Sequence, residues 1–270
     1  MRASVEHSPL SMNLITLAQN GPIGTITLDN GTKHNALSHP LVMEVIAALK
    51  TLEENLTRVV ILRAQPGSKV WSAGHDIGEL PEDGRDPLGW NDPLRELVRT
   101  IETFRAPVIA MIDGGVWGGA VEVVLACDII IATPKSTFAV TPAKLGVPYN
   151  VSGMMTFMSA ASLRIVKELA FTATPISATR AEHVGMINHV IAPDEIDSFT
   201  CEMAGVIAAN APLSISVMKE QLRVLAGAKP LTPRGFEKVQ GLRRVVYDSQ
   251  DYHEGIRAFK EKRKPQFTGN

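Results

Sequence analysis

Cysteine is scarce in this chain of 270 residues: only Cys127 and Cys201 occur, in the segments LACDII and FTCEMA. Neither belongs to a CxxC pair or has a histidine at metal-ligand spacing. Two isolated thiols exclude a small disulfide-stapled fold, which needs several paired cysteines. We therefore expect both to be buried free thiols of a protein that works in a reducing compartment.

An excess of charge of one sign and long apolar runs are also absent. The formal net charge is -1, so no global field attracts nucleic acid or anionic lipid. No run approaches the roughly 20 apolar residues of a membrane span, and residues 1–12 lack the apolar core of a signal peptide. We expect a cytoplasmic protein with no nucleic-acid and no membrane partner, in which residues 1–12 form a loose N-terminal tail.

Familiar catalytic motifs are missing. No serine or cysteine lies in a GxSxG turn, no HExxH occurs, and no Gly-Lys-Ser/Thr sequence completes a phosphate-binding loop. Five histidines are scattered without ligand spacing and predict no metal site: His34, His39, His183, His189 and His253.

What the chain does contain is an alternation of strands and amphipathic helices, which is typical of an α/β fold with crossover connections. Helical periodicity is clear, for example, at 40–55 and 92–104, and dominates in the last 110 residues. No flexible linker interrupts the chain, so we expect one domain with a core at 13–200 and a helical part at 201–270. The β-branched runs that predict strands are 23–28, 59–63, 108–112, 129–132 and 187–190.

Two glycine-containing segments have features of a ligand site. Trp71–Ile77 (WSAGHDI) follows a predicted strand, and its small residues leave backbone N–H and C=O groups uncovered. Asp113–Glu122 (DGGVWGGAVE) leads into an apolar helix, so unpaired N–H donors lie at the positive end of a helix dipole. That arrangement suits developing negative charge, although loop structure or close helix packing explains either segment taken alone.

A third segment, Thr137–Asn150, is punctuated by proline and glycine yet carries the hydroxyls of Thr141 and Tyr149. This mixture is expected of a loop that lines a pocket. Tyr149 is open to two interpretations: its hydroxyl faces a substrate, or it is a core tyrosine with a satisfied hydroxyl.

In their order and spacing these segments resemble the crotonase (enoyl-CoA hydratase/isomerase) superfamily from about Asn13 to Gly269. The motifs that carry the resemblance are LDNGTKHNAL, SAGHDI, GGVWGGAVEVVLACDIIIA, LGVPYN and YHEGIRAFKEKRKPQF. The resemblance implies an α/β spiral of ββα turns with helices outside and a helical C-terminal part that supports a homotrimer or a dimer of trimers. It also implies an acyl-CoA thioester as substrate and no metal or organic cofactor.

Site residues follow by position from the same resemblance. The backbone N–H groups of His75 and Gly119 would donate to an oxyanion. The loop in the first glycine-containing segment would contact the CoA and acyl groups through the backbone of Ala73, Gly74, His75, Asp76 and Ile77. Gly119 and Thr141 would contact the acyl end of the substrate. Lys262 would contact the CoA phosphates.

Carboxylates distinguish the reactions within this superfamily. Enoyl-CoA hydratases use two glutamates, whereas this chain keeps one counterpart, Glu122, and has Ala143 at the second position. Hydration needs an acid and a base on one water, but loss of CO2 itself generates a thioester enolate and needs no base. Glu122 is then either a structural carboxylate paired with an arginine or backbone donors, or a proton donor to the enolate.

The expected reaction is therefore decarboxylation of methylmalonyl-CoA to propionyl-CoA, with His75, Gly119, Tyr149 and Glu122 at the reacting end. SAGHDI, VWGGA, GVPYN, the ELP-GRDPL stretch and the VYDSQDY-EG ending are similar to the branch of the superfamily with that activity. Two alternatives stay open. One is an enoyl-CoA hydratase or isomerase with an unusual acid/base set. The other is a non-catalytic, RNA-binding relative, which the near-neutral net charge disfavours.

Lys262 lies in the basic segment FKEKRKP, where the alternative to a CoA contact is a solvated surface lysine. We predict that Lys262→Ala raises KM for the CoA thioester and leaves kcat nearly unchanged, because the ammonium would bind the phosphates equally in ground and transition states. Steady-state kinetics of the wild type and the variant measure this. An unchanged KM would mean that Lys262 is a solvated surface lysine that does not contact CoA.

Overall fold

The structure, a computed structural model, describes residues 7–11, 13–81, 89–226 and 233–269. Residues 1–6 and 12 of the expected tail and the GRDPL part of one motif lie outside these ranges. The strands are β1 (His7–Ser11), β2 (Ile15–Asn20), β3 (Ile23–Leu28), β4 (Val59–Ala64), β5 (Val70–Ser72), β6 (Val108–Ile112), β7 (Gly115–Trp117), β8 (Ile129–Ala132), β9 (Thr137–Ala139), β10 (Ile176–Ser177) and β11 (His189–Val190). The α-helices are α1 (His39–Glu54), α2 (Pro93–Thr103), α3 (Gly119–Ala126), α4 (Val151–Ala160), α5 (Leu163–Thr172), α6 (Ala178–His183), α7 (Ile196–Ala209), α8 (Pro212–Ala226), α9 (Pro233–Tyr247) and α10 (Gln250–Lys260).

A seven-stranded sheet forms the centre of the fold, in the order β1-β2-β3-β4-β6-β8-β11. β1, β2 and β3 pair antiparallel, and from β3 onward each neighbouring pair is parallel. Both faces of the parallel part are covered, as its nearly continuous apolar strands require. In β4, Val60 and Leu62 belong to the main core, whereas Val59 and Ile61 belong to the cluster under α7.

A smaller sheet has the order β10-β9-β7-β5, with β5, β7 and β9 parallel. Successive units place one strand in each sheet and then a helix: β4, β5 and α2, followed by β6, β7 and α3. This repeat confirms the predicted crotonase-type spiral of ββα turns. The three-residue strands were not predicted, because so short a segment shows no period.

Three expectations differ from the structure. His7–Ser11, assigned to a loose tail, pair with β2, since the edge of a sheet offers unpaired backbone groups. The strand predicted at 187–190 is only His189–Val190. Cys127 is buried but Cys201 is exposed, because α7 covers the sheet with the face that carries Thr200 and Ala204.

The C-terminal helices leave a large apolar surface exposed. No residue of α8 is buried. The Lys219 side chain of α8 contacts the core: its ammonium group donates hydrogen bonds to the carbonyl oxygens of Ile101 and Ala106, and it lies 2.7 Å from the Asp128 carboxylate. In the described ranges no single helix is long and apolar enough to cross a membrane. α7 and α8 taken together are long and apolar enough, but the chain bends by 105° between the two helices. The exposed apolar side chains of α8 and α9 include Leu213, Val217, Met218, Leu222, Leu225, Leu242 and Val245.

The division of one domain into a core at 13–200 and an oligomerisation part at 201–270 stays a prediction.

Candidate active site

The two glycine segments meet in space. β5 and β7 run parallel, with Ser72 paired to Val116, so the residues that follow each strand lie side by side. Gly74 has a φ of 87°, and a Cβ atom there would overlap the carbonyl oxygen of Trp117 and stand 2.8 Å from the Gly119 nitrogen. Glycine is required because no side chain fits between the two backbones.

Two backbone donors lie next to each other at this junction. Gly119 is the first residue of α3, so its N–H has no acceptor within the helix. An ideal Cβ atom on Gly119 would stand 3.5 Å from the His75 nitrogen. Neither N–H donates a hydrogen bond within the described part of the chain. The pair therefore offers two unused donors at the positive end of the α3 dipole.

An apolar pocket is lined by both donor residues. Six residues that the sequence singled out line it: Ala73, His75, Ile77, Gly119, Thr141 and Tyr149. Six others complete the wall: Leu80, Leu94, Gly118, Pro142, Leu145 and Val147. Among the described residues no aspartate, glutamate, lysine or arginine lines this pocket. Apolar walls of this kind strengthen the electrostatic interactions made inside them.

The remaining candidates lie outside the pocket wall. Gly74 is enclosed by the neighbouring backbone, and the Asp76 carboxylate accepts the Gly78 N–H at 2.9 Å, at the start of the 3-10 helix Ile77–Glu79. Lys262 is exposed beyond the end of α10 and does not line the pocket. Ala143 is exposed on the 3-10 helix Pro142–Leu145.

The hydroxyl of Tyr149 is buried and has no hydrogen-bond partner among the described residues. The ring packs edge-on against Phe157, with 5.0 Å between ring centroids. Burial raises the pKa of the Tyr149 phenol, so the hydroxyl keeps its proton. Of the two interpretations of Tyr149, a hydroxyl that faces the pocket agrees better with these observations. An unpaired buried donor of this kind costs about 1–3 kcal/mol.

Glu122 is fully buried on α3 and forms an ion pair with Arg95 of α2. Its second carboxylate oxygen has no partner among the described residues, and the side chain does not line the pocket. Of the two interpretations of Glu122, the structural carboxylate paired with an arginine agrees with these contacts. Removing either partner would leave a buried charge uncompensated, which typically costs about 3–5 kcal/mol.

Sequence reasoning missed Asp92 as a neighbour of this site. Its Oδ2 atom lies 3.1 Å from His75 Nε2, and both side chains are largely buried. Burial lowers the pKa of His75, but the hydrogen bond to Asp92, the charge of Asp92 and smaller effects of the Asp76 carbonyl and Glu79 together hold the pKa above its ordinary value. The Asp-Pro pair before an apolar helical pattern does signal a helix start. It carries no signal that the capping carboxylate also contacts a histidine 17 residues earlier.

The ββα spiral and the paired donors in an apolar pocket define a protein of the crotonase class. A family model described as enoyl-CoA hydratase/isomerase matches residues 18–270, and the chain belongs to this family.

Individual relatives are similar over nearly the full length. Methylmalonyl-CoA decarboxylase of Escherichia coli (strain K12) is 49% identical over 259 residues, which cover 96% of this chain and 98% of the relative. Enoyl-CoA isomerase/hydratase fer4 of Mycosarcoma maydis is 31% identical and covers 90% of this chain and 92% of its own length. A solved structure of methylmalonyl-CoA decarboxylase in complex with 2-nitronate-propionyl-CoA has a TM-score of 0.95 at 48% identity, with 96% of this chain and 100% of that chain covered.

The close approach at Gly74 generates a test of the donor pair. We predict that Gly74→Ala lowers kcat/KM for a CoA thioester at least about hundredfold, the loss typical of one misplaced oxyanion donor, because the new methyl group displaces the Gly119 N–H. Gly67→Ala is the matched control: its φ of 79° imposes similar backbone strain, but no atom lies within 4 Å of the added Cβ. The control should lose about 1–2 kcal/mol of stability and keep its turnover. Equal activity losses in the two variants would contradict this account.

Proposed function

We propose that this protein decarboxylates methylmalonyl-CoA to propionyl-CoA through a thioester enolate held in an oxyanion hole. The observation that carries the proposal is the pair of unused N–H donors at His75 and Gly119, in an apolar pocket that no carboxylate lines among the described residues. Such a site stabilises an enolate and offers no base that would remove a Cα proton. Similarity to the Escherichia coli methylmalonyl-CoA decarboxylase supports the same substrate.

The reaction asks little else of the protein. The thioester oxygen accepts hydrogen bonds from the two backbone N–H groups. The bond between Cα and the carboxylate breaks, CO2 leaves, and the electron pair of that bond moves into the enolate. One backbone donor to such an oxyanion is typically worth about 3 kcal/mol. A proton then adds to Cα and completes propionyl-CoA.

Tyr149 is proposed to act at the acyl end of this pocket. Its hydroxyl, which has no partner within the described ranges, would orient the departing carboxylate or deliver a proton to the enolate. Because burial raises the pKa of the phenol, the group acts as a hydrogen-bond donor and not as a base. Thr141 adds a second hydroxyl to the same wall.

CoA is part of the substrate in this proposal, and no metal or organic cofactor takes part. Lys262 is proposed to contact the CoA phosphates, supported by its place in a basic C-terminal segment. The two cysteines are free thiols, which supports the predicted cytoplasmic location.

Hydration or isomerisation of an enoyl-CoA is the second candidate, favoured by the similarity to the relative from Mycosarcoma maydis. Against it, Glu122 is committed to Arg95 and does not line the pocket. Hydration needs an acid and a base on one water, and the second glutamate of that pair is Ala143 here.

The direct experiment offers methylmalonyl-CoA and crotonyl-CoA to the same purified protein. We expect release of CO2 and propionyl-CoA from the first and little water addition to the second. The rate should be unchanged after dialysis against EDTA, which would remove a metal ion, and in the presence of avidin, which would block a biotin group. Hydration of crotonyl-CoA without decarboxylation would make the second candidate the function.

The subunits are proposed to form a homotrimer or a dimer of trimers. The apolar side chains exposed on α8 and α9 support this, because monomeric proteins rarely expose so large an apolar patch. Sedimentation should give a mass three or six times the 29.2 kDa of the chain.

Tyr149→Phe separates the catalytic hydroxyl from a packing role. We predict that kcat and kcat/KM fall together by about tenfold to a hundredfold, because the lost hydrogen bond would act in the transition state. The melting temperature should stay the same or rise, since phenylalanine removes a buried hydroxyl that has no partner in the described part of the chain. Kinetics and thermal unfolding on one preparation measure both quantities. A destabilised variant with wild-type kcat would remove Tyr149 from the mechanism.

A further inference from the structure

The imidazole ring of His75 contacts hydrogen-bond acceptors at both nitrogens. Nδ1 lies 3.1 Å from the carbonyl oxygen of Asp76, and Nε2 lies 3.1 Å from Oδ2 of Asp92. A carbonyl oxygen only accepts, so Nδ1 must carry a proton. The charge of the ring then depends on whether Asp92 is ionised.

Asp92 has the surroundings of an ionised carboxylate. As the N-cap of α2, its Oδ1 atom accepts N–H groups from Leu94 at 2.9 Å and Arg95 at 3.4 Å. The positive end of a helix stabilises a negative charge at this position. An ionised Asp92 also only accepts, so Nε2 of His75 must donate. The ring therefore carries both protons and a positive charge.

We propose that the His75 side chain is an imidazolium that adds positive charge beside the two backbone donors, and that Asp92 is the positioning residue that holds it there. This inference rests on the proposed decarboxylation and deepens it. His75 lines the pocket, whereas Asp92 does not, so the substrate meets the cation with its counter-ion behind it. A cation in this place is complementary to the charge that develops on the enolate oxygen.

The neighbouring charges decide the pH dependence. Burial lowers the pKa of His75, but Asp92, the Asp76 carbonyl and Glu79 together raise it above 6.5. Since the protonated ring is the active form, turnover is full below this pKa and falls as the pH rises through it. The titratable groups on the elements packed around the ring are Asp76 and Glu79 of the loop after β5, Asp92 and Arg95 of α2, Glu122 of α3, and Tyr149.

Two variants and one spectroscopic measurement test the inference. His75→Gln keeps the backbone donor but loses the charge, so kcat should fall about tenfold and its alkaline decline should disappear. Asp92→Asn keeps a good helix N-cap, so the protein should stay folded while the pKa of His75 drops. The alkaline decline of its activity should begin at lower pH than in the wild type, so the lost activity recovers on acidification, a rescue that a purely structural role would not produce. NMR titration of labelled imidazole follows the charge of His75 in the free protein.

The outcomes distinguish this inference from the function on which it rests. Decarboxylation by the wild-type protein tests the proposed function, whereas the imidazole titration needs no turnover. A His75 pKa at or below its ordinary value would overturn the inference even if CO2 is released. Wild-type kcat in His75→Gln, or an Asp92→Asn profile that does not move to lower pH, would overturn it as well.

Discussion

The contact between two backbones at Gly74 and Gly119 is the constraint on which the rest of this site depends. Parallel pairing of β5 with β7 brings the two loops together, and glycine lets them touch without an intervening side chain. The N–H of His75 and the first N–H of α3 thereby become neighbours. Strands and a helix, and not mobile side chains, hold both donors, so the proposed enolate would need no reorganisation of the site as its charge develops.

Among the described residues no aspartate, glutamate, lysine or arginine lines the pocket, and several such groups lie directly behind it. Asp92 joins the start of α2 to His75, and Arg95 joins the same helix to Glu122 of α3. One turn of α2 therefore links the two donor segments, through the Asp92–His75 hydrogen bond and the buried Arg95–Glu122 ion pair. Such pairs are rarely net stabilising, but breaking one is costly, so they specify one arrangement of the three elements.

Members of this family share the backbone of the site but differ in the side chains around it, and these side chains determine which reaction each member catalyses. Relatives of this chain are named as an isomerase/hydratase and as a decarboxylase. The donors come from the main chain and survive substitutions that change acid and base groups. In this chain the counterpart of one glutamate is alanine and the other glutamate is neutralised by Arg95. These two differences agree with the proposed decarboxylation, because that reaction needs no base.

The sequence by itself determined the long elements, the family and the loops that form the pocket. β-branched runs placed β3, β6 and β8 at their observed bounds, because a buried strand and its pattern are both local. Only the tertiary structure decided which groups the side chains in and around those loops contact. Three features depend on contacts between elements distant in sequence: the Tyr149 hydroxyl has no partner among the described residues, Glu122 pairs with Arg95, and Asp92 contacts His75. Short strands such as β5 and β7 were missed for the same reason, since pairing with each other, and not local periodicity, makes them strands.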